Sequence, residues 1–138
     1  MGFNRALISG DSHLPQPMRV GAGLLANFAP TNKAAETDAT LTAAEVSGGL
    51  IHQGVTLTSD VVYTLPTSAL LLAEMLAMDI GDAYSFMVTN SQVGAFDVVI
   101  AVGTGQTAIG ANNTLSVPPQ STRVFTLVKT AAATMDLY

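Results

Sequence analysis

The sequence predicts an all-β sandwich or barrel preceded by an extended N-terminal arm, and three observations carry that prediction. Several short stretches are rich in β-branched and aromatic residues and alternate apolar with polar side chains, the period of a half-buried strand. Clusters of Gly, Pro, Asn and Ser punctuate them, as in Ser91-Gln-Val-Gly94 and Pro118-Pro-Gln-Ser121. The first forty residues show no sustained period at all. At 138 residues and 49% hydrophobic, the chain suits one domain with a real core. The expected division is an arm over 1–39 and a sandwich over 40–138.

In the arm, Pro15, Pro17 and Pro30 exclude a helix interior and favour extended geometry. Its large apolar groups, among them Phe3, Leu7, Leu14, Leu24, Leu25 and Phe28, are too many for a solvated tail. The arm therefore lies either on its own body or on a neighbour. Beyond it, 56–65 alternates through Val61, Tyr63 and Leu65, and 83–90 through Tyr84, Phe86 and Val88. The stretch 96–102 puts Phe96, Val98, Ile100 and Val102 on one face, and 122–130 puts Phe125 and Leu127 between Arg123 and Lys129. Each reads as a strand. One short helix interrupts them over 66–78, with Thr67 as N-cap, Leu71, Met75 and Met78 on one face, and Gly81 as the stop. That helix is expected to plug one end of the sandwich.

Charge narrows the function classes. The formal net charge is −5, and only 11% of residues are charged. Residues 34–97 hold eight carboxylates and no Lys or Arg, and no basic residue occurs between Lys33 and Arg123. Phosphate backbones demand a basic stripe, so nucleic acid is not an expected partner. Mean hydropathy is +0.42, which suits permanent packing against another protein better than life as a free monomer. No membrane span is expected, because no window approaches the ~20 apolar residues a transmembrane helix requires. The opening MGFNRALISGDSHLPQP lacks the apolar run of a signal peptide, and Ala6 stands where a myristoylation motif wants Ser or Thr. Synthesis in the cytosol is the expectation.

No catalytic, cofactor or metal site is expected. In Val98-Val-Ile-Ala-Val-Gly-Thr-Gly-Gln-Thr-Ala-Ile-Gly110 the glycines have the wrong spacing for a dinucleotide turn, no long helix follows, and a P-loop lysine is missing. Glycines that end a strand and turn tightly explain the stretch. Ile8-Ser-Gly-Asp-Ser-His-Leu14 is similar to the Gly-Asp-Ser block of one class of serine esterases, but the only histidine besides His13 is His52, and no α/β alternation surrounds the block. Two distant histidines and no cysteine make zinc improbable, and Asp79-Ile-Gly-Asp82 lacks the ladder of a calcium loop.

Four segments in order carry a resemblance: Tyr63-Thr-Leu-Pro-Thr-Ser-Ala-Leu-Leu-Leu-Ala73, Gly81-Asp-Ala-Tyr-Ser-Phe-Met-Val-Thr-Asn90, Val102-Gly-Thr-Gly105 and Val117-Pro-Pro-Gln-Ser-Thr-Arg-Val-Phe-Thr-Leu-Val128. Over roughly 50–138 the chain resembles a module of tailed-phage virion proteins. In size and composition it is similar to the small jelly-roll cementing proteins that decorate phage capsids. The resemblance implies a jelly-roll-like antiparallel β-sandwich and no enzymatic activity. It further implies a virion protein made in the bacterial host cytoplasm, seated on the outer capsid surface and bridging neighbouring copies of the major capsid protein. Within that reading the arm is the expected partner interface, Arg5, Arg19 and Lys33 steering it and Phe3, Leu7, Leu14, Leu24, Leu25 and Phe28 supplying contact. Edge strands and an apolar surface further suggest a homodimer or trimer. The alternative is a receptor- or carbohydrate-binding sandwich of a virion fibre, against which stand 6% aromatic residues and no tryptophan.

Overall fold

The computed structural model describes residues 29–76, 78–110 and 115–138. Among them are ten strands and two helices: β1 (Thr31–Lys33), β2 (Ala39–Thr40), α1 (Ala43–Ser47), β3 (Leu50–Gln53), β4 (Val61–Thr64), α2 (Ser68–Glu74), β5 (Ala83–Asn90), β6 (Val98–Ala101), β7 (Gln106–Ala108), β8 (Ser116–Val117), β9 (Ser121–Ala131) and β10 (Thr134–Leu137). They form a β-sandwich of two sheets, one six-stranded in the order β1-β3-β5-β9-β10-β7 and one four-stranded in the order β2-β4-β6-β8. The expected all-β class and the two-layer architecture are both observed.

The expected antiparallel pairing is corrected. Five of the eight described pairings are parallel, and three are antiparallel. The reason lies in the route of the chain. From β1 to β6 each strand crosses to the other sheet, so every return to a sheet runs in the same direction as the strand laid down before. Three coils result: β1 with β2, β3 with β4, β5 with β6. The coils cross at 34–38, 54–60 and 91–97 on one side, and through α1 and α2 on the other, giving the long connections that parallel neighbours need. Only β8 and β9 run against their sheets, and β10, antiparallel to β9, takes up the direction of β5 again.

The second and third coils are in register and related in sequence. Leu50 lies beside Met87 and Val61 beside Val98, the same displacement of 37 residues in both sheets. Leu-Ile-His-Gln53 stacks on Met-Val-Thr-Asn90, and Asp60-Val-Val62 recurs as Asp97-Val-Val99. Ile51, Val61 and Tyr63 are buried, and so are Val88, Val98 and Ile100 at the matching positions. Even the buried polar residue is repeated, Gln53 beside Asn90, both wholly enclosed. Between the sheets, Phe86 stacks on Phe125 with ring centroids 5.6 Å apart. Leu71 of α2 closes the same core.

The sequence suggested one helix, and the described residues contain two. Thr42 caps α1 through a capping box, its hydroxyl accepting from the Glu45 N–H while the Glu45 carboxylate accepts from the Thr42 N–H. Thr67 caps α2 as expected, accepting from the Leu70 N–H. That helix stops at Glu74, short of Gly81, because Met75 leaves helical geometry at φ −91 and ψ 64. The glycine-rich stretch is locked against its start. A Cβ on Gly103 would stand 2.4 Å from the Leu65 carbonyl oxygen, and Gly105 has φ +85. Ser68 donates to the Gly105 carbonyl at 2.7 Å, and Gln106 Nε2 donates to the Pro66 carbonyl at 2.6 Å. Close backbone approach therefore explains the glycines.

Strands of the sandwich begin before residue 40. Residues 31–33 and 39, assigned to the arm by sequence, belong to strands of the sandwich, paired in register with β3 and β4.

Candidate interaction face

Alternation along the strands of the larger sheet separates a buried set from an outward set. On β5 the outward residues are Ala83, Ser85, Met87 and Thr89, and on β9 they are Thr122, Val124, Thr126, Val128 and Thr130. Asn32, Leu50, His52, Thr107, Thr134 and Asp136 continue the same face on the flanking strands. Asp136 is the one ionisable carboxylate or cation among them. Lys33, Arg123 and Lys129 belong to the same strands but occupy the opposite parity.

In-register pairing makes rows of this face. Leu50, Met87 and Val124 form an apolar row across β3, β5 and β9, with Val124 62% exposed. A threonine row lies beside it, where the Thr89 and Thr122 hydroxyls are 2.8 Å apart. Ser85 and Thr126 bond at 2.8 Å, and Thr130 and Thr134 at 3.0 Å. The hydroxyls thus bond across the strands, leaving a surface on which Asp136 is the one carboxylate. Six strands at ~4.8 Å spacing and a usable length of roughly 20 Å give about 500 Å², below the ~800 Å² per partner of a standard stable interface.

The carboxylates are gathered elsewhere, where coils cross between sheets. Asp38 accepts from the Val62 N–H at 2.8 Å, and Asp60 accepts from the Asp97 N–H at 2.8 Å. Asp97 in turn accepts from the Ser116 hydroxyl. Glu36 accepts from the Thr58 and Ser59 amides, and its bonds with Thr58 hold its carboxyl below the usual range. Glu36, Asp38 and Asp60 each serve the backbone of the next coil, and Asp97 serves a hydroxyl of β8. Burial raises the Glu45 carboxyl, but Lys33 and Thr42 outweigh it and leave the group below its ordinary value.

Of the arm residues expected to form a partner interface, Lys33 alone is described. It is ion-paired with Glu45 and lies 5.7 Å from the centre of the Tyr63 ring, which puts it in the wall of the sandwich. Phe3, Arg5, Leu7, Leu14, Arg19, Leu24, Leu25 and Phe28 lie outside the described residues.

Two further features have site-like geometry. His52 Nδ1 is 2.9 Å from Asn32 Oδ1, and its Nε2 is 2.7 Å from Ser91 Oγ, the bonding order of a hydrolytic triad. The amide that would steady an oxyanion there is engaged, since the Ser91 N–H donates to the Gln53 carbonyl at 3.0 Å. The trio is a polar ladder between neighbouring parallel strands. At the helical end, a groove of about 420 Å³ is lined by Leu41, Leu65, Pro66, Leu70 and the threonines at the exits of β2, β4 and β6. Among the described residues no group of three or more His, Cys, Asp or Glu could hold a metal ion, and no helix is long and apolar enough to cross a membrane.

No family model matches the chain, nor does any curated protein or solved structure.

The face was missed in the sequence because alternation was used only to find the core. The same period, read for its outward residues, contains the signal: Thr122, Thr126 and Thr130 recur with two valines and no charge.

Proposed function

We propose that the chain is a structural protein of a phage virion, binding the outer surface of an icosahedral capsid and bridging neighbouring copies of the major capsid protein. The observation that carries this reading is the outer face of the six-stranded sheet, rich in Thr, Ser and Val, with Asp136 its one carboxylate. Such a face loses little by leaving water, because no ion must be stripped of its hydration. Its small area is no obstacle on a lattice, where each further contact is effectively intramolecular. The role is non-enzymatic and needs no cofactor. A jelly-roll connectivity is not required for it, since the outer sheet face is what meets the shell. The open edges at β1 and β2 favour a homodimer or trimer.

Co-sedimentation with capsids stripped of this protein tests the reading, comparing the native chain with Val124→Lys. Saturable binding that the substitution abolishes, with the fold unchanged by circular dichroism, is expected. Equal binding by both chains, or none by the native chain, refutes it. The fibre-type alternative needs an exposed stacking platform, and among the described aromatic residues Tyr63, Phe86 and Phe125 are buried, Tyr84 and Phe96 are partly buried, and Tyr138 is exposed.

A further inference from the structure

The outer sheet face carries an imidazole. Asn32, His52, Thr89 and Thr122 are in register across β1, β3, β5 and β9, and His52 is half-buried in that row. Its ring is closely held. Nδ1 is 2.9 Å from Asn32 Oδ1 and Nε2 is 2.7 Å from Ser91 Oγ, while a Cβ on Gly54 would stand 3.0 Å from the ring carbon between the two nitrogens. The amide oxygen of Asn32 can only accept. Nδ1 therefore carries the proton of the neutral ring, and Nε2 accepts from the Ser91 hydroxyl.

The same ladder accommodates the charged ring, because Ser91 Oγ is also 3.3 Å from the Gln53 carbonyl. When Nε2 gains a proton it donates to Ser91 Oγ, and the serine turns its own proton to that carbonyl. Protonation thus changes the charge of the face and leaves the fold in place. No described carboxylate is placed to neutralise it. On the elements packed against β3, Lys33 has the opposite parity and is paired with Glu45 of α1, and Tyr84 of β5 donates to the Ser47 carbonyl. At the crossings Glu36, Asp38 and Asp60 are bonded to amides and Asp97 to the Ser116 hydroxyl. Asp136 lies level with Val128 and Ala83, three strands away from His52 and six residues along from its partner Thr89. That is roughly 25 Å, well beyond the ~8 Å screening length of physiological salt.

We propose that His52 makes this face pH-responsive: with the imidazole neutral the face docks on the shell, and with the imidazole protonated it lets go. The proposal rests on the capsid reading and adds its regulation. An imidazole changes charge between about pH 5 and 8. Pressed between two protein surfaces, the cation loses its water and finds no carboxylate of its own chain in return. Docking is therefore complete at the upper end of that range and is lost as pH falls through it. The shell surface that fits is one with no carboxylate opposite β3, since such a group would reverse the sign.

Co-sedimentation with stripped capsids at about pH 8 and about pH 5 gives a ratio of Kd values for the native chain and for His52→Gln, which retains His13. A native Kd about tenfold weaker or more at the lower pH is expected, with a ratio near one in His52→Gln. His52→Lys, charged at both values, is expected to bind at the higher pH as weakly as the native chain does at the lower. A native ratio near one, tighter native binding in acid, or an equal fall in His52→Gln overturns the pH response and leaves the capsid reading standing. So does His52→Gln as weak as His52→Lys at the higher pH, since charge is then not what matters. No native binding at either pH defeats the capsid reading, and the response falls with it. Nitrogen NMR of the free chain checks the ladder without capsids. His52 is expected to be protonated at Nδ1 alone at the higher pH and at both nitrogens at the lower, with circular dichroism unchanged, and unfolding at the lower pH refutes a ladder that carries either charge state.

Discussion

Tyr63→Phe is the most informative single substitution, because it deletes one oxygen atom from the centre of the second coil. Tyr63 is 1% exposed, and its hydroxyl donates to the Gln53 amide oxygen, itself wholly buried. The other bond to that amide is marginal, Gln53 Nε2 to the Ala35 carbonyl at 3.5 Å. Phenylalanine fills the same space, so no cavity forms. The cost comes from leaving a buried acceptor without its donor, about 1–3 kcal/mol. In a chain of this size about 1 kcal/mol corresponds to roughly 4 °C in Tm, so thermal unfolding is expected to shift down by roughly 4–12 °C. Gln53→Met alone strands the hydroxyl and costs a similar amount. The double variant replaces both partners with apolar groups and is expected to be more stable than the two single losses predict by at least ~1 kcal/mol. Strict additivity, or a Tm unchanged by Tyr63→Phe, refutes the claim that this pair is a coupled buried bond.

The same phenol predicts a pH dependence. Burial first, and then the negative charges of Glu45 and Asp38, push Tyr63 up from 10.0 to about 12. The protonated form is the one the fold prefers, so its contribution is complete below pH 10 and is lost as pH rises toward about 12. Stability measured by urea unfolding should fall across that window, and less steeply in Tyr63→Phe. Gly103→Ala places a methyl 2.4 Å from the Leu65 carbonyl oxygen and 2.6 Å from that of Pro66, both fixed backbone atoms. The loop must move off the start of α2, a loss of about 1–3 kcal/mol or more, and a native Tm would show that the close approach does not constrain the loop.

Much of the strand pattern was legible because alternation reports directly on burial. Strand β5 has the bounds that Tyr84, Phe86 and Val88 imply, and Thr67 caps α2 as its position before an apolar run implies. Strand β4 is shorter than the stretch 56–65 suggests, since Leu57 is buried within the crossing at 54–60 and not within a ladder. Direction of pairing was not legible. Alternation fixes which face a side chain takes, and it is indifferent to whether the neighbour runs up or down. The clue was the repetition of Asp-Val-Val at 60 and 97, a period that marks stacked coils. Helix α1 was missed because a five-residue helix has no measurable period, although Thr42 and Glu45 hold the spacing of a capping box.

The distribution of acids joins fold to proposed function. Read along the sequence, eight carboxylates in 34–97 suggest an acidic surface. In the folded chain Glu36, Asp38, Asp60 and Asp97 lie where coils cross, the first three accepting amide bonds from the coil beyond and Asp97 accepting from the Ser116 hydroxyl of β8, and Glu45 is tied to Lys33. Parallel coils leave amides unpaired at each crossing, and a carboxylate is the shortest side chain that accepts from such an amide while keeping an oxygen in water. Negative charge is thereby drawn into the crossings by the winding itself. The β-ladders need no such acceptors, since neighbouring strands satisfy one another, and the outward positions of β5 and β9 are left to threonine, serine and valine. A winding that concentrates its acids at the crossings also produces a broad sheet face almost free of them, and that is the surface a permanently seated partner requires.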